Sequence, residues 1–333
     1  MLIIGHTKPP VLATATLPFI RFIINTSDVL EGNVLNHELV INENIKGQFK
    51  KTFQTNDILY SEIRPKNKRF AFVDFESEDY VASTKLMVLR ANKKILPEFL
   101  FQLLKSDLII QQLQDLAETR SGTFPQITFY ELGQIDVDIP DINEQKIISE
   151  YIMNYDEKIE NNKKINHHLA EIAKSIFDSY FIDLSPYDGV MPDDWQLSNL
   201  TGIANYLNGL AMQKHRPQSN EQGLPVLKIK ELRQGFTDST SDLCSPNIRR
   251  DYIIHDGDVI FSWSGSLLVD FWTGGECGLN QHLFKVTSDT YDKWFYYAWT
   301  KHHLDRFVKM AADRATTMGH IKRDALEKAE VLI

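Results

Sequence analysis

Between Asn143 and Phe181 the apolar positions recur at alternating steps of four and three: Ile148, Ile152, Tyr155 and Ile159, then Leu169, Ala173, Ile176 and Tyr180. That spacing predicts one long helix with a heptad seam. Two register positions in its middle, Asn162 and Asn166, are polar. A core Asn lowers stability while fixing register and partner number, so the seam expects a particular partner. Asp141 with Glu144 reads as a capping box after Pro140, and Ser185-Pro186 supplies the stop. At about 1.5 Å per residue the helix spans on the order of 55–60 Å, wider than a small domain, which makes it a spacer. The competing reading is one arm of a helical hairpin packed on its own domain.

The segments on either side of the helix repeat one another. Asp57-Ile58-Leu59-Tyr60 reads as a turn leading into a strand, and Asp258-Val259-Ile260-Phe261 repeats it 201 residues later. Arg120, Ile127, Leu132, Val137 and Ile139 fall opposite Arg314, Ile321, Leu326, Val331 and Ile333 at a constant offset of 194. A helical stretch lies between these landmarks in both halves, Pro97–Glu118 and Tyr291–Ala312. Earlier, Pro18-Phe19-Ile20 with Ser27-Asp28-Val29-Leu30 resembles Pro225-Val226-Leu227 with Ile229-Lys230-Glu231-Leu232. The pattern predicts an α+β protein with two similar mixed α/β domains, residues 1–140 and 185–333, joined by a coiled-coil helix over 141–184. Ile333 is equivalent to Ile139, so the second copy stops where a second long helix would begin. The expectation is that the seam's partner comes from another subunit, or that the gene is truncated.

A length of 333 residues suits two domains and a connector. Hydrophobic content of 43% and charged content of 24% are those of an ordinary globular chain, and no apolar run is long enough to span a membrane, so the expected location is the cytoplasm. Cys244 and Cys277 form neither a metal pattern nor a disulfide framework. The net charge of -9 argues at first against nucleic acid, but the helical connector, residues 141–190, carries 10 acidic and 5 basic side chains, and the flanks are nearly balanced. Local clusters of Arg, Lys and Ser are the candidates for phosphates and base edges. In the first half they are Lys46, Lys50, Lys51, Arg64, Lys66, Lys68, Arg69 and Arg120. In the second they are Lys214, Arg216, Ser262, Ser264, Arg314, Lys322 and Arg323. Each cluster alone equally describes a solvated face. Gly122 and Gly265 suit tight turns, and Trp263, Trp272 and Trp294 are more often core than stacking platforms.

Catalytic constellations are absent from the pattern. Cys277 and His282 lack a third orienting group, and Glu62 with Lys66 has the wrong spacing for a nuclease centre. His167-His168 and His302-His303 point to different helix faces, so no metal site is expected. No Gly-rich cofactor loop occurs, and the chain reads as non-catalytic.

The stretch Gly122-Thr123-Phe124-Pro125-Gln126-Ile127, then Leu132 and Val137-Asp138-Ile139-Pro140, then Asn143-Glu144-Gln145-Lys146-Ile147-Ile148 opening the helix, resembles the specificity subunit of type I restriction-modification systems. Asp256-Gly257-Asp258-Val259-Ile260-Phe261 and Gly278-Leu279-Asn280-Gln281-His282 add support. The resemblance covers nearly the whole chain but lacks the family's second helix and a full N-terminal start. It implies two target recognition domains, each reading one half of a bipartite double-stranded DNA target in phage defence. It further implies a helix that sets the gap and docks methyltransferase (M) subunits, with a restriction/translocase (R) subunit in the complex. S-adenosylmethionine, ATP and Mg2+ would belong to those partners, with no cofactor or metal in this chain. Ile148, Ile152, Tyr155, Ile159, Leu169, Ala173 and Ile176 would pair with a separate helix or a second copy of the chain. The alternative from another class is a coiled-coil scaffold or peptide-binding assembly protein that reads no DNA. A salt-dependent DNA shift separates the two.

Overall fold

The computed structural model describes residues 4–5, 20–41, 48–120, 125–313 and 323–333. Within it the chain forms two units, 1–165 and 166–333, whose boundary falls inside the long helix. The first unit runs through β1 (Ile4–Gly5), β2 (Ile20–Ile24), β3 (Val29–Leu30), β4 (Asn33–Val34) and β5 (Leu39–Ile41). Then come β6 (Phe49–Lys51), β7 (Ile58–Ser61), β8 (Phe70–Phe72), β9 (Tyr80–Ser83) and β10 (Leu86–Ala91). Helices α1 (Pro97–Leu104), α2 (Asp107–Arg120) and α3 (Phe129–Leu132) follow, and α4 (Ile142–Phe177) closes it. One sheet has the order β1-β10-β7-β8 and the other β5-β2-β9-β6.

The second unit contains β11 (Leu197–Asn199), α5 (Leu200–Ile203), β12 (Asn205–Asn208), β13 (Leu224–Leu227), α6 (Ile229–Gln234) and β14 (Leu243–Cys244). It continues with β15 (Ile253–Ile254), β16 (Val259–Ser262), β17 (Leu268–Phe271), β18 (Cys277–Leu279) and β19 (Leu283–Thr287). It ends with α7 (Lys293–His302), α8 (Leu304–Asp313), α9 (Arg323–Glu327) and β20 (Glu330–Leu332). Its two main sheets, β12-β19-β16-β17 and β14-β13-β18-β15, repeat the first unit's orders strand for strand. In each unit the second of these sheets holds one parallel pair, β2 with β9 and β13 with β18, among antiparallel neighbours.

The repeated Asp-apolar-apolar-aromatic motif follows from this layering. Ile58 and Tyr60 face the core built with α1 and α2, while Leu59 faces the other sheet's core. Val259 and Phe261 likewise face the helical core and Ile260 the other. A strand covered on both sides reads as an unbroken apolar run. Asp57 closes the preceding turn by accepting from the Gln54 N–H at 2.8 Å, and Asp258 does the same for His255 at 2.9 Å. The parallel pairs place Ile24 beside Ala82 and Leu227 beside Leu279. That register makes Phe22, not Pro18, the partner of Pro225, because similarity across a loop does not set strand register; Pro18 itself lies outside the described residues. The helical stretch expected between the landmarks is present in both copies, as the pairs α1 with α2 and α7 with α8.

Helix α4 begins where Asp141 accepts from the N–H groups of Asn143 and Glu144 at 2.8 and 3.0 Å. Its first turns belong to the first unit through buried Gln145 and Ser149 and the Lys105–Asp156 ion pair. Its end belongs to the second unit. Phe177 is buried edge-on against Trp299, and Phe181 stacks on Trp195. The helix then passes through a π-turn, Asp178–Ile182. From Glu157 to Ile176 every residue is exposed. Ile159, Leu169 and Ile176 are each more than half exposed, and Tyr151, Ile165 and Ile172 widen the apolar face beyond the predicted seam.

Candidate nucleic-acid interface

In the second unit the turns leaving the carboxyl ends of the parallel strands β13 and β18 border a cleft of about 480 Å³. Ligands gather at such strand ends because chain direction switches there and opens a crevice. Gln213, Arg216, Lys228, Lys230, Asp242, Asn280, Gln281 and His282 supply its polar lining, and Met212, Val226, Ile229 and Leu243 its apolar part. Gly209 permits the approach on one side: a Cβ there would lie 2.2 Å from the Asn280 carbonyl oxygen.

The polar groups are held in place. Lys228 pairs with Asp242, and Lys230 donates to Asp238 at 3.2 Å and Thr240 at 2.7 Å. These contacts hold the Asp238 carboxyl far below the usual carboxylate range, the bonds from Thr240 first and Lys230 after them. His282 Nδ1 shares a 2.9 Å hydrogen bond with Ser264, and its Nε2 lies 3.3 Å from the Gln281 amide. Asn280 accepts from the His282 N–H and fixes the turn. Arg216 is exposed, and no hydrogen-bonded acid holds it among the described residues. Amide, imidazole and guanidinium groups presented together suit base edges and phosphates.

The sequence candidates divide. Lys214 and Arg216 stand exposed at or beside the cleft, and Ser264 acts by positioning His282. Ser262 is a correction: it is fully buried, and its hydroxyl donates to the Ser266 carbonyl at 2.8 Å. Lys51 is another, since its amine donates to the carbonyls of Thr84 and Leu86 at 2.8 and 2.7 Å and burial lowers its pKa. Arg69 is turned onto the Ser27 and Val29 carbonyls, and Lys68 faces Glu31 and Asp107. Lys50, Arg64, Lys66 and Arg323 are exposed. Arg64 adopts φ +45°, a strained conformation for a residue with a side chain, at the turn where its N–H meets Pro125. Lys46, Arg314, Lys322 and the side chain of Arg120 lie outside the described residues.

Sequence reasoning missed Gln213, Lys228 and Lys230 as site residues, and used Gln281 and His282 only as motif letters. In the first unit it missed Lys85 and Gln126, which meet at 3.3 Å beside Glu62. Gln213 adjoins Lys214 and Arg216, and Lys228 and Lys230 lie with Arg233 in one basic stretch, so those were within reach of the sequence; Lys85 has no such neighbours, and its signal was the position just after β9. Of the tryptophans, Trp272 is core, Trp263 is half-buried with its N–H on Asn208, and Trp294 is exposed. Cys277 is buried and its thiol is pushed up by burial, while His282 is bonded elsewhere.

Comparison with known proteins agrees with this architecture. The pattern of the type I restriction modification DNA specificity domain matches residues 17–171 and 192–333. Over 164 residues the chain is 47% identical to the HindI type I restriction enzyme specificity subunit of Haemophilus influenzae, covering 49% of this chain and 36% of that protein. The MjaIX specificity subunit of Methanocaldococcus jannaschii is 24% identical over 259 residues, covering 72% and 59% respectively. The chain thus spans less than two thirds of the length of either relative. A crystal structure of a type I restriction-modification S subunit from M. genitalium shares the fold, with a TM-score of 0.53 at 15% identity over 99% of this chain and 82% of that one. With the pattern matched on both halves, the chain belongs to the type I restriction modification DNA specificity family.

Proposed function

We propose that this chain is the DNA-reading subunit of a type I restriction-modification complex in the cytoplasm. Each unit reads one half of a bipartite duplex target, and α4 sets the gap between the halves. The observation that carries this reading is the same two-sheet unit occurring twice, with one end of a single continuous helix built into each copy. Two readers on a rigid connector discriminate spacing, because a misplaced reader forfeits its base contacts. The chain itself is non-catalytic. Methyltransferase subunits supply S-adenosylmethionine chemistry, and a translocating nuclease subunit supplies ATP and Mg2+ chemistry. The exposed seam of α4 pairs with a helix supplied in trans, from a second copy or from a partner subunit.

The test is a methylome of cells expressing the chain with its methyltransferase subunits, alongside a variant carrying one extra heptad between Asn161 and Asn162. The unmodified chain should direct methylation to a bipartite sequence. Seven helical residues add about 10 Å, so the variant should read the same halves with a gap longer by about three base pairs. Methylation by the purified chain alone, or an unchanged gap, overturns the proposal.

A further inference from the structure

The matched registers identify the first unit's counterpart of the second unit's cleft. Ile24 beside Ala82 corresponds to Leu227 beside Leu279, so the residues that follow, Asn25 and Ser83, correspond to Lys228 and Asn280. Both copies repeat the local hydrogen bonds. Asn25 N–H donates to Asp28 at 2.7 Å and Lys228 N–H to Glu231 at 3.2 Å. Ser83 accepts from the Lys85 N–H at 3.3 Å, and Asn280 from the His282 N–H at 3.2 Å. On the edge strand Phe22 pairs with Leu39 and Pro225 with Leu243, and these two leucines stay 59% and 51% exposed. The residue before each leucine is acidic, Glu38 in one copy and Asp242 in the other.

The two acids differ in their company. Asp242 is ion-paired with Lys228, which draws its carboxyl pKa down. At the position of Lys228 the first unit has Asn25, whose side-chain oxygen caps the Thr26 N–H at 2.8 Å and which carries no charge. Glu38 is exposed and has no ion pair among the described residues. Its backbone is nevertheless fixed, because its N–H donates to Asn36 at 2.9 Å and the adjacent His37 ring meets the Tyr80 hydroxyl at 2.7 Å. A carboxylate held just before β5, at the position that Asp242 occupies on the rim of the second unit's cleft, accepts hydrogen bonds only. In the major groove that selects the exocyclic amine of cytosine or adenine over the carbonyl of guanine or thymine.

We propose that Glu38 is a specificity-determining residue of the first unit, accepting from a cytosine or adenine amine, at the position where Lys228 silences Asp242 in the second. The inference rests on the reading of the chain as a DNA specificity subunit. The experiment uses the full chain co-expressed with its methyltransferase subunits and scores base preference at each half-site position from the methylome. Glu38→Ala should relax a single cytosine or adenine position in one half, with discrimination falling about 10- to 100-fold and the other half unchanged. Glu38→Lys should turn that position towards guanine or thymine, and Lys228→Asn should create a new amine preference in the other half by freeing Asp242. Unchanged half-site preferences in Glu38→Ala and Glu38→Lys, with the unsubstituted chain still reading a bipartite site, overturn this inference alone. An unsubstituted chain that directs no sequence-specific methylation overturns the underlying reading and this inference with it.

Discussion

Gln145 caps a helix that begins at Pro97. Its side-chain oxygen accepts the Leu96 N–H at 2.8 Å, while its amide nitrogen donates to the carbonyls of Lys94 at 3.0 Å and Pro140 at 2.9 Å. Leu96 is the N-cap residue of α1 and has no capping side chain of its own. Gln145 therefore fastens the start of the long helix to the domain before it. It is 1% exposed, so all three bonds are shielded from water. Gln145→Leu should leave one N–H and two carbonyls unsatisfied and lower the first unit's stability by about 2–4 kcal/mol, read from chemical denaturation. An unchanged midpoint would show that water replaces the clamp.

The two turn aspartates should respond unequally. Asp57 is 1% exposed and accepts from both Nε and Nη2 of Arg90 at 2.7 Å, whereas Asp258 meets Lys285 through one contact at 2.8 Å. Asp57 accepts two charge-assisted bonds from Arg90 besides its turn bond from Gln54, and Arg90 keeps a third of its side chain in solvent, so Asp57→Ala should cost about 2–4 kcal/mol through the lost bonds. Asp258→Ala should cost clearly less. Equal losses from the two substitutions would show that the second charge-assisted bond to Asp57 contributes nothing.

Acid should loosen the second unit through His303. Burial lowers the pKa of this side chain below its ordinary 6.5, outweighing the bond between its Nε2 and the Glu330 carbonyl; His302 beside it is lowered by burial as well. The unfolded chain then binds protons that the folded unit refuses. Stability is full above 6.5 and is lost as the pH falls through the depressed folded value. Denaturation midpoints for the second unit should drop between about pH 7.5 and about pH 5.5, and His303→Gln should flatten that slope. A slope unaltered by the substitution would assign the effect to other groups.

The apolar face of α4 should matter for assembly and not for folding. Ile159 and Leu169 are 51% and 57% exposed, so Ile159→Asp with Leu169→Asp removes no intrachain packing. Unfolding of the chain alone should move by about 0.5 kcal/mol or less, as for surface positions generally. Light scattering or co-purification with the methyltransferase subunits should show assembly lost, because an unpaired charge is costly in a dry seam. Unchanged assembly would refute pairing through this face.

What the sequence alone determined is whatever short-range chemistry controls. The heptad spacing and Asp141 place α4, and Asp57-Ile58-Leu59-Tyr60 against Asp258-Val259-Ile260-Phe261 reveals the duplication, because a strand buried on both faces must be apolar throughout. Arg64, Lys66 and Arg216 were legible as exposed cations in turns. Only the tertiary structure decided which cations are free. Lys51 reaches carbonyls more than thirty residues away and Arg69 reaches carbonyls some forty residues back, contacts that composition cannot encode. It alone assembled the cleft, since Arg216, Lys228 and His282 meet through the parallel pairing of two strands distant in the chain. It alone separated Glu38 from Asp242, two acids that look alike until the neighbour at the end of the next strand is seen to be Asn25 in one case and Lys228 in the other.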